Sequence, residues 1–156
     1  MSNAAALRSV SNVGVGHDAT VMVRDRCLCL HVQRAARALA RRFDDVFRPF
    51  DLTSGQFSLL MSLNRPTPPT LGSVATLLVM DRTTLTAALK PLERRGLVKV
   101  AIDKEDRRSR RLSLTSAGRA LLAKTLPLWT ATHDAIDAEL APHSPDGLRA
   151  ALRALA

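Results

Sequence analysis

Thr83, Thr86, Ala87 and Lys90 recur at i, i+3, i+4 and i+7 and therefore share one side of a helix, opposite Leu85, Ala88, Leu89 and Leu92. Their chemistry is recognition rather than bond making. Threonine hydroxyls donate and accept, threonine methyls and Ala87 suit contact with a thymine methyl, and lysine brings a charge. Thr84 adds another short hydroxyl. Arg82, at the positive end of the same helix, is long enough to reach a guanine edge or a phosphate. Behind this helix, residues 90–111 hold nine basic and four acidic side chains, a net +5 out of the chain's +9. Within or beside that stretch, Arg94, Lys104, Arg107, Arg108 and Arg110 are candidates to meet a polyanion.

Other reactive residue types form no catalytic pattern. His17, His31, His133 and His143 are scattered, and Ser58, Ser62 and Ser73 have no base at a recognisable spacing. The sequence contains no phosphate loop, dinucleotide fingerprint or nucleophile elbow, so an enzyme is not expected. Cys27 and Cys29 lie two apart. On one helix they would point about 200° away from each other, which forbids a disulfide. Adding His31 gives a Cys-x-Cys-x-His run that does not converge on one metal ion. Neither a metal nor a cofactor is expected. Small apolar packing is the simplest role for both thiols.

The elements that must position the recognition residues follow from periodicity and punctuation. Apolar residues at Leu28, Val32, Ala35, Leu39, Phe43, Val46 and Phe50 predict one long helix over about 21–50. Thr53 with Gln56 reads as a capping box for a second helix through Phe57, Leu60, Met61 and Leu63. Arg65-Pro66-Thr67-Pro68-Pro69 breaks the chain. Thr70 caps a short helix, Val79-Met80-Asp81 forms a tight turn, and Asp81 caps the recognition helix, which Gly96 closes. Pro91 should bend that helix. Residues 97–102 and 110–114 predict a hairpin with a charged tip at 103–109. Thr115 caps a long helix through Ala117, Leu121, Leu128, Ala131, Ala135, Ile136 and Leu140, with a kink at Pro127. Leu148, Leu152 and Leu155 mark a last short helix. Two short helices, a tight turn and a basic hairpin make a winged helix-turn-helix, whose second helix enters the major groove of duplex DNA. The fold class is thus mainly α with a small two- to three-stranded antiparallel β wing.

The wing run Asp103-Lys104-Glu105-Asp106-Arg107-Arg108, followed by Leu112-Ser113-Leu114-Thr115-Ser116-Ala117-Gly118, resembles the D-x-R-D-x-R and L-T-x-x-G pattern of the MarR family of bacterial regulators. Asp81-Arg82-Thr83-Thr84-Leu85 and Leu92-Glu93-Arg94-Arg95-Gly96-Leu97-Val98 resemble its recognition-helix region. The resemblance covers about 21–140. It implies long N- and C-terminal dimerisation helices at about 20–50 and 115–156, around a DNA-binding lobe at 53–114. It also implies a homodimer on a pseudo-palindromic operator. The apolar surplus at Leu126, Trp129, Leu148, Leu152 and Leu155 agrees with a dimer. The chain departs from the family at Glu105, where the family usually carries the first wing arginine. Lys104, Arg107 or Arg108 must then serve any minor-groove contact. The resemblance further implies a small effector, often aromatic or anionic, for which Arg37, Arg41, Phe57, Met61 and Trp129 are candidate liners. Cys29 stands where the hydroperoxide-sensing branch keeps its reactive thiol, eight residues before Arg37. The chain has no tyrosine to hold a thiolate; Phe43 and Ser54 occupy what look like those positions.

Bulk properties restrict the setting. With 156 residues the chain makes one domain, 20–156, preceded by a flexible arm at 1–19. That arm holds one arginine and no apolar run, unlike a secretory leader. Two cysteines and no membrane-length apolar segment point to the cytoplasm. A single-strand or RNA-binding module would interleave aromatics with its charges, but Phe43, Phe47, Phe50, Phe57 and Trp129 all lie outside the basic stretch. A winged helix kept only for protein interaction would not need its threonines and arginines. Duplex DNA is the favoured partner.

Overall fold

The computed structural model describes residues 14–156. They divide into two compact units, one up to Ala38 and the other Leu39–Ala156, with the boundary inside a helix.

The first unit departs from expectation. In place of one helix over 21–50 there are two, α1 (His17–Arg26) and α2 (Leu28–Phe47), followed by a 3-10 turn at Arg48–Phe50. Cys27 makes the break. Its backbone is extended, with φ −76° and ψ 99°, its amide closes α1 on the Val23 carbonyl, and its sulfur accepts the Leu30 N–H at 3.3 Å. A weak sulfur acceptor thus takes the place of an N-cap oxygen. The helical geometry expected to separate Cys27 from Cys29 therefore does not apply, although both thiols are free. Of the arm expected over 1–19, His17–Ala19 belong to α1, and residues 1–13 lie outside the described part. No residue of α1 is buried.

In the second unit the caps fall where the side chains call for them. Thr53 and Gln56 form a reciprocal capping box on α3 (Ser54–Leu63). Thr70 accepts from the Ser73 amide at the start of α4 (Leu71–Leu77), and Asp81 from the Thr84 amide at the start of α5 (Arg82–Arg94). Each such cap contributes about 1 kcal/mol. At the end of α5, Gly96 takes φ +66°. Its amide bonds to Glu93 and that of Leu97 reaches Leu92, a Schellman closure with both leucines buried. The same closure ends α4, where Val79 occupies the left-handed position at φ 51°.

Strands β1 (Val98–Ile102) and β2 (Arg110–Leu114) pair antiparallel, with Val98 opposite Leu114 and Ile102 opposite Arg110. A lone bridge from Thr70 to Arg111 and a bond from the Leu112 amide to the Pro69 carbonyl supply the third edge. Helix α6 (Ser116–Glu139) runs through Pro127, and α7 (Pro145–Arg153) follows. Neither Pro91 nor Pro127 ends its helix. The inner face of α6 follows the apolar spacing only in part: Ile136 is buried and Leu121 and Leu140 pack against the core, but Gly118, Leu122 and Thr125 are buried too and Leu128 is exposed. Thr125 is tolerated there because its hydroxyl donates to the Leu121 carbonyl at 2.9 Å. The core gathers Phe47, Leu60, Val74, Leu85, Leu92 and Leu112 from five elements. A bidentate pair from Arg42 to Glu139, at 2.7 and 2.8 Å, ties α2 to α6.

Candidate nucleic-acid interface

Helix α5 presents the face that its sequence implied. Leu85, Leu89 and Leu92 are buried, while Thr83, Thr86, Ala87 and Lys90 are exposed and share one shallow groove with Arg82. The three threonines differ in what they offer. The Thr84 hydroxyl donates to Asp81 at 2.6 Å, so Thr84 serves the cap while the residue stays exposed. That hydroxyl, then the Thr84 amide, holds the Asp81 carboxyl below the usual carboxylate range. Thr86 donates back to the Arg82 carbonyl at 2.7 Å and leaves its methyl and lone pairs outward. The Thr83 hydroxyl has no hydrogen-bond partner among the described residues and keeps its full capacity.

The wing is rigid at its base and open at its tip. Asp103 is buried although charged. One carboxylate oxygen accepts the Glu105 amide at 2.9 Å and the other accepts Arg111 Nε at 2.5 Å. These two contacts, in that order, hold its carboxyl below the usual range. Arg111 also donates to the Pro68 carbonyl at 3.0 Å, fastening the hairpin to the loop before α4. Asp106 accepts the Arg108 amide at 3.0 Å, a local turn of the kind aspartate favours. Arg110 braces the carbonyls of Arg107 and Ser109. Lys104, Arg107 and Arg108 are exposed, with no ion pair among the described residues. Arg94 is likewise exposed at the far end of α5.

This geometry has known counterparts. A family model described as the MarR family matches residues 52–109, from just before the α3 cap to the end of the wing tip. The crystal structure of the Mycobacterium tuberculosis transcriptional regulator MosR in complex with DNA is similar at 35% identity and a TM-score of 0.76, covering 83% of this chain and 93% of that one. The chain belongs to the MarR family. The transcriptional repressor CouR, bound to a 23-mer DNA duplex, is similar at 31% identity and a TM-score of 0.75, covering 85% of this chain and 94% of that one. Among curated proteins, the HTH-type transcriptional regulator TtmR of Methylorubrum extorquens is 34% identical over 100 residues, 64% of this chain and 51% of that protein. The chain thus spans about half the length of that curated relative.

For a MarR-family wing, Glu105 is the departure, and here it stands exposed with only its amide engaged. Arg108 occupies the pattern's second arginine. The effector candidates separate. Phe57, Met61 and Trp129 line one cavity of about 300 Å³ together with Leu78 and Leu126. Arg41 is exposed and takes no part in that lining. Arg37, in the first unit, donates instead to Gln33 Oε1 at 3.5 Å. Among the described residues the cavity wall carries Ser58, Ser62 and Trp129 as side chains with a polar group, so the cation expected for an anionic ligand is missing from it. A closed ring of aromatics backs this wall: Phe57, Trp129, His133, Phe43 and Phe47 each touch the next, with centroids 4.2–6.2 Å apart. Sequence reasoning missed His133. Burial, then the Arg149 charge, pushes its imidazole below the ordinary histidine range.

Cys29 is exposed, and Gln33 Nε2 donates to its sulfur at 3.2 Å. No group of three or more candidate metal ligands occurs among the described residues. No helix among them is long and apolar enough to cross a membrane.

Proposed function

We propose that this chain is a sequence-specific transcriptional regulator that binds duplex DNA as a homodimer in the cytoplasm, acting as an effector-responsive repressor and not as an enzyme. The observation that carries the reading is the exposed Thr83, Thr86, Ala87 and Lys90 face of α5, set beside a wing whose cationic tip lacks internal partners. Thr83, Thr86, Ala87 and Lys90 read base edges; Arg94, Lys104, Arg107, Arg108 and Arg110 meet the backbone. That MosR and CouR are similar and were solved on DNA supports it. The dimer draws on apolar side chains that the chain itself leaves uncovered. Leu148 and Leu152 line one side of α7, which has no buried residue, Leu155 follows its end, and Leu28, Val32 and Leu39 lie along α2. A two-fold dimer sets two recognition helices roughly 34–36 Å apart, one DNA turn. The cavity at Phe57, Met61 and Trp129 suits an uncharged aromatic effector. Its occupancy changes DNA affinity by altering that spacing.

Selection of bound duplexes from a random pool tests the reading. Enrichment of an inverted repeat with half-sites about 10 base pairs apart is expected. Recovery of an unsymmetrical pool indistinguishable from the input would sink it. Lys90→Ala should then cost about 1–3 kcal/mol against the selected site.

A second reading concerns Cys29. Gln33 bridges it to Arg37 along one face of α2, donating its amide to the sulfur while its carbonyl accepts from the guanidinium. In this chain Gln33 and Arg37 stand beside the sulfur where tyrosines are absent. Under this reading the regulator is released by peroxide through Cys29 oxidation. Cys29→Ser should abolish peroxide-induced release from DNA; identical peroxide titrations of wild type and variant would refute it.

A further inference from the structure

Five arginines of the second unit, Arg42, Arg48, Arg95, Arg111 and Arg149, are each paired with a carboxylate. Arg82, Arg108 and Arg110 are not, among the described residues, and these three converge. They border one cleft of about 190 Å³ where the wing meets the starts of α4 and α5. Asp106 is the only carboxylate on its wall, and one of its oxygens is already taken by the Arg108 amide at 3.0 Å. The cleft is smaller than the roughly 300–1,000 Å³ that hold drug-sized ligands. Its chemistry, guanidinium forks around a small space, matches a tetrahedral oxyanion.

Gly72 determines how Arg82 takes part. A Cβ built on Gly72 would lie 3.1 Å from Arg82 Nη2. The guanidinium thus lies against the first turn of α4, beside the wing, and a methyl at position 72 would push its end away by a few tenths of an ångström.

We infer that this cleft holds a single phosphodiester of the DNA backbone, clamped between the recognition helix and the wing, and that Gly72 is the positioning residue that turns Arg82 into the clamp. The inference rests on the DNA-binding reading and adds to it. Arg82 then sets register on the duplex and reads no base, so base readout is left to Thr83, Thr86, Ala87 and Lys90.

The test measures binding of the full chain to a labelled random-sequence 30-base-pair duplex across a sodium chloride series. Arg82→Gln should weaken binding about three- to tenfold and make the salt slope shallower by about one per protomer. Arg82→Lys should keep the slope. Gly72→Ala should reproduce a fraction of the Arg82→Gln loss in the wild-type chain and add nothing in the Arg82→Gln background, with equal thermal melting confirming the fold. Additive losses would overturn the role of Gly72. An Arg82→Gln variant with an unchanged salt slope but an altered preference among selected duplexes would make Arg82 a base reader and overturn the clamp. A wild type without affinity for any duplex would sink the regulator reading itself, a result distinct from either.

Discussion

Gly118→Ala is the substitution whose cost the structure specifies best. Gly118 lies in the first turn of α6, and a Cβ there would stand 2.2 Å from the Leu97 carbonyl oxygen, where ordinary contact begins near 3.4 Å. The obstacle is backbone on the stretch that leads from α5 into the wing, so no side chain can swing aside. Relief requires α6 and residues 96–97 to separate by more than 1 Å. Two donors of Thr115 bridge that gap: its hydroxyl, shared between the Gly96 carbonyl at 2.6 Å and the Leu97 carbonyl at 3.2 Å, and its amide, bonded to the Leu97 carbonyl at 3.1 Å. Losing them costs about 1 kcal/mol each. Overpacking adds about 1–3 kcal/mol. Alanine's better helix propensity returns at most about 1 kcal/mol. The expected net loss is about 3 kcal/mol, equivalent to a fall of about 6–12 °C in Tm for a chain of this size. Urea unfolding followed by helical circular dichroism measures it. Gly55→Ala is the matched control: this exposed glycine in α3 has nothing within 4 Å of its missing Cβ, so the same change should be neutral or stabilise by up to about 1 kcal/mol. A Gly118→Ala variant within about 0.5 kcal/mol of wild type would refute the close-approach account.

Val79 holds a left-handed conformation with 73% of its surface exposed, so Val79→Asn should raise stability by about 1 kcal/mol, seen as a higher urea midpoint at unchanged slope. Asp103 has a carboxyl depressed by the Glu105 amide and Arg111. Its stabilising contribution is complete above the unfolded value near 3.9 and fades as the pH falls through the lower folded value. Asp103→Asn should therefore be less stable than wild type at pH 7, by a margin that narrows at pH 3; an equal margin at both, from urea midpoints, contradicts the assignment. Leu148→Ser with Leu152→Ser should yield a folded monomer by light scattering, and a persisting dimer would remove α7 from the interface.

Local punctuation was legible because its physics is local. Asp81, Thr53 with Gln56, Thr70 and Thr115 cap helices through side chains three residues from the amides they serve, and Gly96 closes α5 through its own φ. The exposed face of α5 followed from period alone. Contacts set by tertiary approach were not legible. Nothing in Gly72 or Gly118 announces the Arg82 guanidinium or the Leu97 carbonyl, which are brought close only by folding. Arg111 looked like one more wing cation, yet it is spent on Asp103 and Pro68. The α1–α2 break escaped because Cys27 has no breaker signature and its sulfur caps only weakly. Thr84 showed the converse limit: residue type suited it equally to recognition and to capping, and only the fold reveals that its hydroxyl serves the cap.

The chain's one tryptophan, Trp129, forms part of the cavity wall at 6.2 Å from Phe57 and packs on His133 at 4.2 Å. Its intrinsic fluorescence is consequently a built-in gauge that needs no label. With the imidazole kept neutral near pH 7, emission there responds to whatever enters beside the indole, while quenching by a protonated ring is displaced to more acidic solution. A library of uncharged aromatics can thus be screened on the unmodified protein by the colour and intensity of a single residue.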